Sequence, residues 1–76
     1  MIVLTIRRVD IGTQIRKART RAGLTQEQLA FRCGLSSNYI SLVELNRKSP
    51  TLATLARICH SMGVRVSALV AAAEIK

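Results

Sequence analysis

The stretch CGLSSNYISLVE, residues 33–44, is dense in uncharged hydrogen-bonding groups: Ser36, Ser37, Asn38, Tyr39 and Ser41 fall within one short segment. Two kinds of chemistry use such groups. A serine can serve as a nucleophile, but only with a base held beside it. The single histidine, His60, forms no Ser/His/acid or Cys/His arrangement, and there is neither a paired-carboxylate site nor a Gly-rich phosphate loop. Enzyme chemistry is excluded on these grounds. The other use is hydrogen bonding to the polar groups of a partner.

The charge says what kind of partner. Twelve Lys and Arg face only Asp10, Glu27, Glu44 and Glu74, a net charge of +8, and the pI is near 11.2. In so small a chain that is the footprint of a polyanion partner, with nucleic acid the first candidate and a merely solvated basic surface the alternative. The cations gather at Arg7 to Arg21 and at Arg47 and Lys48, with Arg32, Arg57, Arg65 and Lys76 scattered. Cys33 and Cys59 sit singly in apolar patterns, with no CxxC and no His at ligand spacing, so they read as small core residues; no metal and no cofactor is expected. His60 reads as a surface or boundary residue.

At 76 residues the chain makes one domain, with no room for a second domain that senses a small-molecule effector. Aliphatic residues dominate the apolar 49%, and Phe31 and Tyr39 are the only aromatics, a balance that predicts an all-α fold. The opening MIVLTIRR is apolar before it is basic, the reverse of a secretory signal, and too short to span a bilayer. It predicts an extended arm over residues 1–9, no membrane partner and a cytoplasmic protein.

Punctuation along the chain divides the rest into five short helices. Asp10 caps the first, whose stripe is Ile11, Ile15, Ala18 and Ala22, and Gly23 closes it. Thr25 and Gln28 form a capping box for the second, which turns Leu29, Ala30 and Cys33 inward and stops at Gly34. Ser36 opens the third, with Ile40 and Val43 inward and an end near Leu45 and Asn46. Thr51, after Pro50, caps the fourth, with stripe Leu52, Leu55, Ile58, Cys59 and Met62 up to Gly63. Ser67 is the expected cap of the fifth, which carries Leu69, Val70 and Ala73.

A tight Gly-containing connection between the second and third helices is the mark of a helix-turn-helix, over about residues 25–45. In that arrangement the second of the two helices enters the DNA major groove led by its N-terminal residues. The sequence GTQIRKARTRAGLTQEQLAFRCGLSSNYISLVELNRKSPTLATLARICHSMGVRVSALV resembles the Cro/repressor-like, or XRE-type, helix-turn-helix family. The resemblance rests on the "IR" of helix 1, "GLTQEQLA" into helix 2, "YIS" followed by Glu44, the basic loop "NRKSP" and the "LATLARICHSMGV" close. It implies a compact five-helix, lambda-repressor-like DNA-binding domain over residues 10–76, similar in size and layout to restriction-modification controller proteins.

The resemblance also implies roles. Ser37, Asn38, Ser41 and Leu42 stand at base-reading positions. A carboxamide such as Asn38 can pair with adenine N6 and N7, whereas serines discriminate little, and Leu42 can touch a thymine methyl. Thr25, Gln26, Ser36, Arg47 and Lys48 stand at phosphate-binding positions. Tyr39 has two readings, a phosphate contact through its hydroxyl or packing on helix 2. Arg19 and Glu44 match an internal salt bridge between helices 1 and 3. A glycine is usual where Asn46 stands, though asparagine tolerates the left-handed turn well.

Half-site pairing would give so small a reader its specificity, so a homodimer on a palindromic operator is expected, with Val64, Val66, Leu69, Val70 and Ala73 as the dimer face or, alternatively, as the end of the monomer core. The function implied is a transcription regulator, autoregulatory in the absence of a sensor, acting by blocking or touching RNA polymerase. The alternative is a protein-interaction module such as an antitoxin subunit, for which DNA binding is secondary.

Overall fold

A computed structural model describes residues 10–74, so the expected arm over residues 1–9 lies outside the described residues. Five helices follow one another: α1 Ile11–Arg21, α2 Gln26–Cys33, α3 Ser37–Glu44, α4 Leu52–Met62 and α5 Val66–Ala73. Among the described residues about 71% are helical, and no helix is long and apolar enough to cross a membrane.

Four of the five starts are the capping residues expected. The side chains of Asp10, Thr25, Ser36 and Thr51 accept from the backbone N–H groups of Thr13, Gln28, Tyr39 and Thr54, relieving orphan donors at each N-terminus. Thr25 and Gln28 complete the reciprocal box. Helices of eight residues are marginal by propensity alone, so these caps and tertiary packing hold α2 and α3.

The inward stripes meet in one core, in which Ile15, Leu29, Ile40 and Ile58 are fully buried and Val43 and Cys59 nearly so. Each of the five aliphatic side chains contributes about 1.5–3 kcal/mol by leaving water. Where α1 crosses α3 the backbones themselves touch. A β-carbon at Gly12 would stand 2.5 Å from the carbonyl oxygens of both Val43 and Glu44, so only glycine permits that approach.

Two expectations about apolar faces and caps are corrected, and a third has two readings. The fifth helix begins at Val66 after Arg65, with no side-chain cap, so Ser67 lies inside it. Leu52 is 73% exposed, because the first turn of α4 projects past the core that Leu55 and Ile58 enter. Of the residues read as a dimer face or as the end of the monomer core, Leu69 and Ala73 are buried in the core at 5% and 2% exposure, while Val64, Val66 and Val70 are half-buried at its edge.

Candidate nucleic-acid interface

The turn between α2 and α3 is built from a left-handed Gly34 (φ 70°) and the N-cap Ser36, and is held by the Leu35 N–H donating to the Ala30 carbonyl at 2.9 Å. The Cys33 carbonyl, freed at the end of α2, accepts from Arg57 Nη2 at 2.5 Å. Arg57 thus braces the turn from α4, a role that no local spacing discloses because the two residues are 24 apart.

Helix α3 has two sides. Ile40 and Val43 are buried and Tyr39 is half-buried against the core, while Asn38 is exposed and Ser37, Ser41 and Leu42 are half-buried toward solvent. Asn38 and Leu42, like Ser37 and Ser41, are four apart and form adjoining rows on the outward side. Tyr39 thus packs against the core from a half-buried position. The Thr25 and Ser36 hydroxyls accept backbone N–H groups and keep their own O–H free to donate.

Glu44, the buried carboxylate at the end of α3, is the hub behind this face. It accepts from Arg19 Nε at 2.6 Å and Nη2 at 3.1 Å, and from Gln26 Nε2 at 3.0 Å. Arg19 Nη1 reaches the Leu24 carbonyl at 2.8 Å. Hydrogen bonding to Glu44 raises the Arg19 pKa above its ordinary value, so the guanidinium stays charged and faces inward. Gln26, assigned to a phosphate, spends one of its amide N–H groups on Glu44 and keeps the other.

Arg47 and Lys48 follow at the surface. Both of their backbone N–H groups donate to the Leu42 carbonyl, at 2.8 and 3.3 Å, so the start of the loop is ordered against the helix it leaves. Asn46 before them takes φ 60°, and its side chain accepts from the Gly12 N–H at 3.0 Å and donates to Asp10 Oδ1 at 2.7 Å. Sequence spacing gives no sign of that side-chain bridge, since its ends lie 34 and 36 residues apart. The same bond, with the Thr13 N–H, holds the Asp10 carboxyl below the usual carboxylate range.

Outside this face there is little chemistry. Among the described residues no cluster of His, Cys, Asp or Glu could hold a metal, and every buried side-chain nitrogen and oxygen has a hydrogen-bond partner. Burial pushes both thiols up, and the Cys33 Sγ donates to the Leu29 carbonyl at 3.1 Å, the behaviour of core residues.

Comparison with known proteins agrees with this geometry. The family profile described as helix-turn-helix matches residues 15–69. An immunity repressor protein of Bacillus phage phi105 is 38% identical over 62 residues, 82% of this chain but only 43% of the repressor's length. The restriction-modification controller protein C.AhdI from Aeromonas hydrophila superposes with a TM-score of 0.76 at 31% identity, covering 80% of this chain and 92% of that one. The master regulator for biofilm formation SinR, solved in complex with DNA, superposes with a TM-score of 0.73 at 28% identity, over 78% of this chain and 95% of that one.

Proposed function

The chain belongs to the helix-turn-helix family of transcription regulators, not to a family of enzymes, and from that premise we propose that it binds a palindromic operator as a homodimer and regulates its own promoter. The observation that carries the reading is the two-sided α3, whose outward side presents Ser37, Asn38, Ser41 and Leu42 while Ile40 and Val43 lock the other side to the core.

In this reading α3 enters the major groove. Asn38 pairs with an adenine edge, Leu42 meets a thymine methyl, and Ser37 and Ser41 adapt to neighbouring groups. Thr25, Ser36, the free amide N–H of Gln26, Arg47 and Lys48 hold phosphates on either side and set the register without reading sequence. The complex of SinR with DNA supports this assignment of partner. RNA polymerase is then blocked or contacted by the bound protein.

For pairing, α5 and the turn before it offer Val64, Val66 and Val70 at the core's edge beside exposed Ala68, Ala71 and Ala72. On a palindromic operator such a pair sets its two recognition helices about 34 Å apart, one turn of DNA.

Fluorescence anisotropy of a labelled duplex from upstream of the protein's own coding sequence, against a shuffled duplex, tests the reading. The upstream duplex binds more tightly, with half-maximal binding following dimerisation, and log affinity falls linearly with log salt at about 0.9 per phosphate neutralised. Equal affinity for both duplexes at every salt concentration would overturn it and favour the protein-interaction module.

A further inference from the structure

Asn46 is the only residue other than glycine with a positive φ among the described residues. Glycine would make this turn at the lowest backbone cost, so the asparagine side chain has a use of its own. That use is visible in its two hydrogen bonds. Its Oδ1 accepts the N–H of Gly12, one of the donors left without a partner at the start of α1, and its Nδ2 donates to the Asp10 carboxylate. Asp10 is itself anchored twice more: its carboxylate accepts from the Thr13 N–H at 3.1 Å, and its own N–H donates to the Ala73 carbonyl at the end of α5 at 3.0 Å.

The backbone on the other side of Asn46 is equally committed. Its N–H donates to the Val43 carbonyl, and the next two N–H groups, of Arg47 and Lys48, both donate to Leu42. Asn46 is therefore the joint at which a fixed point on α1 and α5 meets the end of the recognition helix and the two exposed cations that follow it.

We infer that Asn46 is a positioning residue for DNA binding: its carboxamide latches the end of α3 to the start of α1 and so fixes where Arg47 and Lys48 meet the phosphates. The inference rests on the DNA-binding reading proposed for this face. The carboxamide touches no DNA; it acts through the two cations. A substituent with the right backbone and no amide separates the turn from the latch.

The test uses Asn46→Gly, which keeps the left-handed turn, and Asp10→Ser, which keeps an N-cap for α1 but is too short to serve Asn46 as well. Both are measured on the upstream duplex across a salt series, alone and in an Arg47→Ala/Lys48→Ala background. Each variant loses affinity on the order of tenfold, and the salt slope becomes shallower by about 0.9 for each phosphate that is no longer neutralised. In the Arg47→Ala/Lys48→Ala background the same changes add nothing. Without DNA, hydrogen exchange at the Arg47 amide accelerates in both variants. Wild-type affinity and slope in both, or an undiminished loss in the background lacking the two cations, would overturn the latch. Failure of the wild-type protein to bind the duplex would instead remove the DNA-binding reading, and Arg47 exchange alone would then decide whether the carboxamide orders the loop.

Discussion

Arg19 grips both oxygens of Glu44, with Nε at 2.6 Å and Nη2 at 3.1 Å, and joins α1 to the last residue of the recognition helix. The Glu44 side chain is 2% exposed and the Arg19 side chain 14%, so the carboxylate above all has little water to fall back on. Such a pair contributes little net stability compared with an apolar replacement, but breaking it strands a buried charge.

Glu44→Ala therefore destabilises the fold by about 3 kcal/mol, and Arg19→Ala by a similar amount. In a double-mutant cycle followed by urea denaturation, the second change costs much less than the first, with a coupling above about 1 kcal/mol. Additive losses would mean that the two side chains act independently.

Gly12→Ala places a methyl group 2.5 Å from two carbonyl oxygens and 2.8 Å from Asn46 Oδ1. Alanine is the better helix former by about 1 kcal/mol, yet overpacking of this kind costs about 1–3 kcal/mol, and here the neighbours are backbone that cannot rotate away. A lower melting temperature for the variant, read by circular dichroism, is the expected outcome.

In the proposed DNA-binding reading, Asn38→Ala and Arg47→Ala separate two kinds of contact. The first costs about 1–3 kcal/mol on the cognate duplex and relaxes preference at one base position, while the second weakens all duplexes alike and makes the salt slope shallower by about 1. Competition assays with single-base operator variants distinguish them.

The Asp10 carboxyl titrates below its ordinary value chiefly because Asn46 and the Thr13 N–H hydrogen-bond its charged form. A depressed carboxylate contributes stability that is present above its unfolded value, near pH 4, and is lost as pH falls through the lower folded value. Stability against urea accordingly drops in acid below about pH 4, and Asp10→Asn makes that acid limb shallower. Because Asp10 is close to solvent, the effect is a fraction of about 1 kcal/mol.

Much of this fold is legible in the sequence because its helix boundaries are written by local chemistry. Asp10, Thr25, Ser36 and Thr51 cap within three residues of themselves, and Gly23, Gly34 and Gly63 take the left-handed turns. What periodicity does not disclose is how deep each apolar residue goes: Leu52 and Leu69 lie on equally good stripes, but one is exposed and the other is in the core. The bonds from Arg57 to Cys33 and from Asn46 to Gly12 and Asp10 are equally hidden, because they depend on which helix ends the packing brings together. Gln26 shows the same limit at the candidate site, where its part in the Glu44 cluster comes from tertiary proximity rather than from its place at the start of α2.

The bare α-carbon of Gly12 also acts as a gauge. In the proposed pair, each recognition helix is set off from the shared symmetry axis through α5, α1 and the contact at Gly12, so any thickening there is counted once in each subunit. A displacement in the monomer is then repeated in its mate and adds to the span between the two reading heads. In that proposed pair, the spacing of the half-sites is thus written partly in a side chain the protein does not have.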